Sequence, residues 1–257
     1  MGFNDTNQTN ENVLSIDCTN YSEGWQETLG EAVPYMPCDN QFPSLVIPVP
    51  DRSDSLILSQ NKPFYSPIQT FATLRKYGLV LQIFDYTLWI RALRHFNCFG
   101  TKMLPMVSRT SCIFPVATSI QHALWVNPLE IEEITDMGDT TLLSMIDGTV
   151  VRTFVRRRTF IAHAENTLLA LATIRRDFLH PDIPGDRPLD YLNLPNTSFL
   201  RVISQRAKLQ QFPIPLYSLK QQYEQEQLTR AVIALSKRVF LKELSNRPPS
   251  DFLDNND

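Results

Sequence analysis

Glycine is scarce in this chain: there are eight in 257 residues. None falls in a G-x-x-x-x-G-K-[ST] loop, a G-x-G-x-x-G turn or a G-x-S-x-G elbow. Phosphate-cradling loops and the hydrolase nucleophile turn, which need glycine at fixed positions, are therefore not signalled. Cysteine is also sparse. The four at 18, 38, 98 and 112 form no C-x-x-C pair, so neither a zinc ribbon nor a disulfide scaffold is indicated, and they read as free thiols. No run approaches the roughly 20 apolar residues of a membrane span. The opening "MGFNDTNQTNENVLSIDCTN" has neither a basic nor an apolar signal region, which points to the cytoplasm. "NDT", "NQT", "NYS" and "NTS" fit the glycosylation pattern, but in that compartment they reflect Asn- and Thr-rich composition.

What is present is charge, unevenly placed. The formal net charge is only −3. Residues 1 to 64 carry nine acids and two bases, residues 65 to 210 twelve acids and sixteen bases, and residues 211 to 257 six of each. An acidic leader thus masks a basic middle. The leader repeats proline in "VPYMPCDNQFPSLVIPVPDRSD" too often for regular structure, so residues 1–62 are expected to be largely disordered. Within it, "SLVIP" and "SLILS" have the composition of short edge strands.

From Phe71 the texture turns apolar and aromatic, which sets a domain boundary near residue 63. "GLVLQIF" reads as a strand; "TLWIRALRHF" leans the same way but is ambiguous with a helix. "CIFPV" is a further short strand, with Pro115 suggesting an edge or bend. "LWVNPLEIEEI" alternates Leu129, Glu130, Ile131 and Glu132, the period of a strand with one wet face. "TLLSMIDGTVVRTFV" reads as a β-hairpin turning on Asp147-Gly148 as type I′. A helix follows over "TFIAHAENTLLALATIRRDFL", halted by Pro181. After a Pro-, Asp- and Asn-rich loop, "SLKQQYEQEQLTRAVIALSKRVFLKEL" makes a second long helix, with Ser218 and Gln221 spaced as a capping box. Its stripe of Leu228, Val232, Leu235, Val239 and Leu244 packs either on the chain's own core or on a partner.

The chemistry of an enzyme is weakly signalled. His163 and Glu165 spell half of the zinc deaminase signature, but the P-C-x-x-C half is missing, which leaves an ordinary helical histidine. The acids of "LEIEEITDMGD" read as a solvated face. The bases differ, because "RALRHF", "TKM", "SRTS" and "RTFVRRRTF" gather Arg and Lys beside aromatics and turns. A surface that binds nucleic acid needs such grouping, since each neutralised phosphate releases counterions and the gains add.

In order along the chain, "RHFNCFG", "MLPMVSRTSCIFPVATS", "LWVNPLEIEEI", the "DGTVV" hairpin and the helix ending "IRRDF" resemble the successive motifs of the ComK family of competence transcription factors. The similarity runs from about Leu79 to Phe178. "QFPIPLYSLK" is similar to the family's segment captured by a proteolytic adaptor. The basic insertion that follows Phe-Gly in the family is shortened here to "TK", and the leader is longer. The resemblance implies a transcription activator that binds A·T-rich boxes of double-stranded DNA through the minor groove and switches on DNA-uptake genes. It implies a homo-oligomer without cofactor, metal or catalytic site, with RNA polymerase and an adaptor of the MecA/ClpC type as further partners, and location at the nucleoid.

The expected architecture is α+β: a largely antiparallel sheet, a helix packed behind the hairpin and a long C-terminal helix. The expected divisions are an acidic leader (1–62), a DNA-binding core (63–210), an adaptor-binding-like segment with the terminal helix (211–247) and a disordered tail (248–257). Candidate DNA contacts are Arg94, His95, Lys102, Arg109, Arg156, Arg157 and Arg158. Candidate adaptor contacts are Phe212, Leu216 and Tyr217. The rival reading is a protein-interaction module that keeps the fold without binding DNA.

Overall fold

A computed structural model describes residues 14–21, 23–37, 42–60, 62–80, 85–116, 119–179 and 185–245. The chain forms β1 (Ser15–Asp17), α1 (Glu23–Glu31), β2 (Val33–Pro34), β3 (Leu45–Pro48), β4 (Ser55–Ser59) and β5 (Lys62–Ser66). Two helices follow, α2 (Thr70–Val80) and α3 (Tyr86–Arg94), then β6 (Met106–Val107), β7 (Cys112–Val116) and β8 (Leu124–Val126). The second half comprises β9 (Ile131–Asp136), β10 (Thr141–Met145), β11 (Val150–Thr153), α4 (Arg157–Ile174), α5 (Ser198–Ser204) and α6 (Ser218–Ser245).

The α+β architecture is as expected, in two sheets. One has the order β2-β5-β4-β3-β8-β7-β6 and the other β1-β11-β10-β9. Among the described residues only the β2–β5 and β1–β11 pairs are parallel. Helix α4 is buried throughout residues 167–174, in a core that takes Ile47 and Phe114 from one sheet and Leu143 and Val151 from the other.

The leader is the main correction. Its described residues from Leu14 onward are folded, while residues 1–13 lie outside the described residues. β3 and β4 are central strands, not edges. Leu45, Ile47, Leu56 and Leu58 face the main core, and Val46 and Ile57 face a second core with Phe64, Ile113 and Trp125. Burial of both faces requires an unbroken apolar run, which "SLVI" and "SLIL" supply. Trp25 is 1% exposed, and its indole Nε1 donates to the Asp17 carbonyl at 2.8 Å, tying α1 to β1. The tail 248–257 falls outside the described residues.

Three local expectations also change. "GLVLQIF" begins as helix, since α2 runs through Val80; residues 81–84 are not described. "TLWIRALR" is α3, which buries Leu88, Trp89, Ala92 and Leu93 and turns Arg91 and Arg94 outward, a period of 3.6. Asp85 caps it, accepting from the N–H groups of Thr87 at 2.9 Å and Leu88 at 3.2 Å. "LWVNPLEIEEI" is two strands. Asn127 accepts from the Leu129 N–H at 3.0 Å, and the turn through Pro128–Glu130 carries the chain from one sheet to the other. Glu130 is therefore half-buried in a turn, where burial and then Asp147 push its carboxyl pKa upward.

The hairpin forms, with a different turn. Gly148 has φ +87 and Asp147 is not left-handed; the Gly148 N–H donates to the Met145 carbonyl at 3.0 Å. That is a type I turn closed by a glycine bulge rather than type I′. Pro115 sits where β6 has already ended opposite Ile113, so β7 is an edge there.

Candidate nucleic-acid interface

The arginine triplet does not end a strand; it starts α4. Arg156 is the N-cap residue, with no side chain capping the turn, and Arg157 and Arg158 open the first turn. All three are exposed. A helix N-terminus carries partial positive charge and leaves N–H groups unpaired, so a cation there is unfavourable by about 0.3–1 kcal/mol. Among the described residues none of the three has an ion pair. Arg157 Nε donates to the Ile134 carbonyl at 3.3 Å, which anchors that side chain against β9.

The triplet lines a cleft of about 300 Å³ together with Phe154, Asp136 and Asp139. Phe154 is 65% exposed, an apolar ring left in water between β11 and the arginines. The sequence offered it within "RTFVRRRTF", but composition alone did not separate an exposed ring from a core one. The two aspartates arrive on the β9–β10 turn and reduce the positive field of the cleft.

The other candidate bases are not gathered with the triplet; of them, Lys102 and Arg109 lie along α4. The backbone at Met103, next to the exposed Lys102, hydrogen-bonds to His163, and a Cβ placed on Gly100 would lie 3.3 Å from Asn166 Nδ2. The 100–103 loop therefore runs beside the middle of α4. Arg94 and His95 form the last turn and cap of α3, where cations suit the dipole; Arg94 also borders a separate groove of about 390 Å³ with Tyr86 and Met103. Arg109 is exposed at the β6–β7 turn, and its carbonyl accepts from Arg175 Nε at 3.1 Å. Arg175 follows the last residue of α4. Eighteen residues at about 1.5 Å each separate Arg109 from the triplet by roughly 27 Å.

His163 packs against the core. Its ring stacks on Phe114 at 6.0 Å and 11°, and burial lowers its pKa, against the raising effect of the Met103 backbone. Glu165 faces Arg206 at 3.4 Å. Among the described residues no three His, Cys, Asp or Glu side chains cluster as a metal site. Cys18, Cys98 and Cys112 are free thiols; burial pushes Cys18 up to about 12. Cys38 lies outside the described residues.

The adaptor-like segment is neither extended nor fully exposed. Phe212 is half-buried, with the Arg176 guanidinium 4.0 Å over its ring and Tyr191 edge-on at 5.6 Å. Arg176 also donates to the carbonyls of Ile214 at 3.2 Å and Pro215 at 2.9 Å, a clamp with no sequence signal beyond "RRDF". Of the three candidate contacts, Leu216 and Tyr217 are exposed, at 49% and 37%, and Tyr217 has φ +64, a conformation costly for a ring-bearing residue. Among the described residues no helix is long and apolar enough to cross a membrane. No family model, curated protein or solved structure matches this chain.

Proposed function

We propose that the chain is a DNA-binding transcription activator of the ComK type, contacting A·T-rich duplex through the minor groove. The observation that carries this reading is the exposed Phe154 beside three arginines that form no ion pair among the described residues, at the uncapped start of α4. Arginine suits a narrow A·T minor groove, where negative potential is enhanced. Proteins that bind there often wedge an apolar ring between base steps. Lys102 and Arg109 extend the contact along α4; roughly 27 Å is about eight base steps at 3.4 Å each.

The test is the salt dependence of affinity for an A·T-rich duplex. Changing Arg156, Arg157 and Arg158 together to Gln should lower the slope of log affinity against log salt by roughly 2 to 3, about 0.9 per lost phosphate contact. Phe154→Ala should leave that slope unchanged and reduce the bend of the bound duplex. An unaltered slope in the triple variant removes the triplet from the interface. The second reading is an interaction module without DNA binding, and Asp136 and Asp139 in the same cleft favour it. It predicts no salt-dependent binding at all.

A further inference from the structure

Helix α6 spans 28 residues, about 42 Å at 1.5 Å per residue. Its first half is held to the body of the protein by one face. Leu219 and Tyr223 are 0% and 5% exposed, Glu226 faces Arg91 at 4.0 Å, and Arg230 pairs with Asp85. At about 100° per residue these four side chains fall within an arc of roughly 60°. Beyond them the helix leaves the body, and every residue from 228 to 240 is exposed.

Leu228, Val232, Leu235 and Val239 are 66%, 53%, 61% and 58% exposed. They also share an arc of roughly 60°, centred about 180° from the first. The stripe therefore points away from the protein's own core, and no straight continuation of α6 buries it there. Its spacing of four, three and four is that of a heptad seam, with Val at both a positions and Leu at both d positions. β-Branched residues at a with Leu at d favour two parallel strands. The positions beside the seam are Thr229, Ala231, Ser236 and Arg238, so like charges do not oppose a copy and no oppositely charged partner is called for. Ile233 and Phe240, 47% and 61% exposed, lie roughly 120° round the helix and are not part of the seam.

We propose that α6 pairs with α6 of a second copy of this chain as a parallel two-stranded coiled coil along Leu228, Val232, Leu235 and Val239. Such an interface is isologous, with a two-fold axis running along the helix pair. It stands independently of DNA binding, because its readout is mass.

The test is sedimentation equilibrium of the full chain from about 1 µM to about 100 µM, which reads a dissociation constant within that range. A monomer–dimer equilibrium is expected. Leu235→Asp should weaken it by more than about a hundredfold, since each copy would bury an unpaired charge. The variant should keep the wild-type near-ultraviolet dichroism because Leu235 is exposed in the protomer. For register, Leu228→Cys and Val239→Cys are each oxidised alone and then mixed, with the wild-type chain as background. Parallel strands link each variant to itself; a link formed only between the two variants means antiparallel strands and overturns the proposal. A monomer throughout, or an assembly that Leu235→Asp leaves intact, overturns it equally.

Discussion

Replacing Arg176 with Met tests the clamp that fixes the segment ahead of α6. The Arg176 side chain is 6% exposed and that of Asp177 0%, with Nε to Oδ1 at 2.7 Å. The guanidinium also supplies the donors for the Ile214 and Pro215 carbonyls and covers the Phe212 ring. Methionine keeps most of the volume but none of the donors. It leaves Asp177 as a buried carboxylate whose Oδ2 already has no hydrogen-bond partner. Removing one member of a buried pair costs about 3–5 kcal/mol, because the other charge stays behind without solvent.

At about 2–4 °C per kcal/mol for a chain of this size, the midpoint of thermal unfolding should fall by on the order of 10 °C. The cost belongs to the stranded charge, so Arg176→Met with Asp177→Leu should recover most of it. Limited proteolysis near Phe212 should rise in both variants, since both lose the carbonyl donors. Urea unfolding of the three proteins decides the matter. A loss below about 1 kcal/mol in the single variant, or a double variant no better than the single, refutes the argument.

Deleting residues 1–62 should abolish cooperative unfolding, because it removes the central strands β3 and β4; a sharp melt in the truncated chain would show the sheet closing without them. Trp25→Ala alone should cost about 3–5 kcal/mol, read from urea midpoints. Asp85→Ala should cost about 1 kcal/mol at neutral pH through loss of the α3 cap. Burial raises the Asp85 carboxyl pKa, but hydrogen bonds from Arg230 and from the Leu88 and Thr87 N–H groups hold it below 3.8 overall. A depressed folded value means the contribution is present above about 3.8 and is lost as pH falls below it, so the stability gap between wild type and variant should close in acid. A gap that widens there contradicts the assignment.

The fold was legible where one physical signal dominated. The hairpin announced itself through Asp147-Gly148 between β-branched arms, and α4 and α6 through long apolar periods bounded by proline. The leader misled because its closely repeated prolines and its acids were weighed above its apolar content. Yet "SLVI" and "SLIL" are short runs without alternation, the pattern of strands buried on both faces. A central strand needs only four or five such residues, and the acids around it lie in turns. "TLWIRALR" misled because β-branched and aromatic composition was weighed above the spacing of Leu88, Trp89, Ala92 and Leu93, which is helical.

The residues of the candidate site were visible in the sequence, but their placement was not. Three consecutive arginines are visible in any reading; that they open a helix is not, because the residue at the N-cap is Arg156 and not the Ser, Thr, Asp or Asn that normally caps one. This is where local and global preference disagree. A sequence selected for stability alone would put an acid or a capping hydroxyl at 156 to 158, and would cover a ring such as Phe154. Here the first turn carries three like charges against the dipole, and the ring stays 65% exposed. Departures from local consistency concentrate at functional surfaces, whereas Arg94, at the favourable end of α3, costs the fold nothing and carries less weight. The bases that act on a polyanion should accordingly be those the fold would be more stable without, which ranks Arg156, Arg157 and Arg158 above Arg94 and His95 as the first positions to substitute.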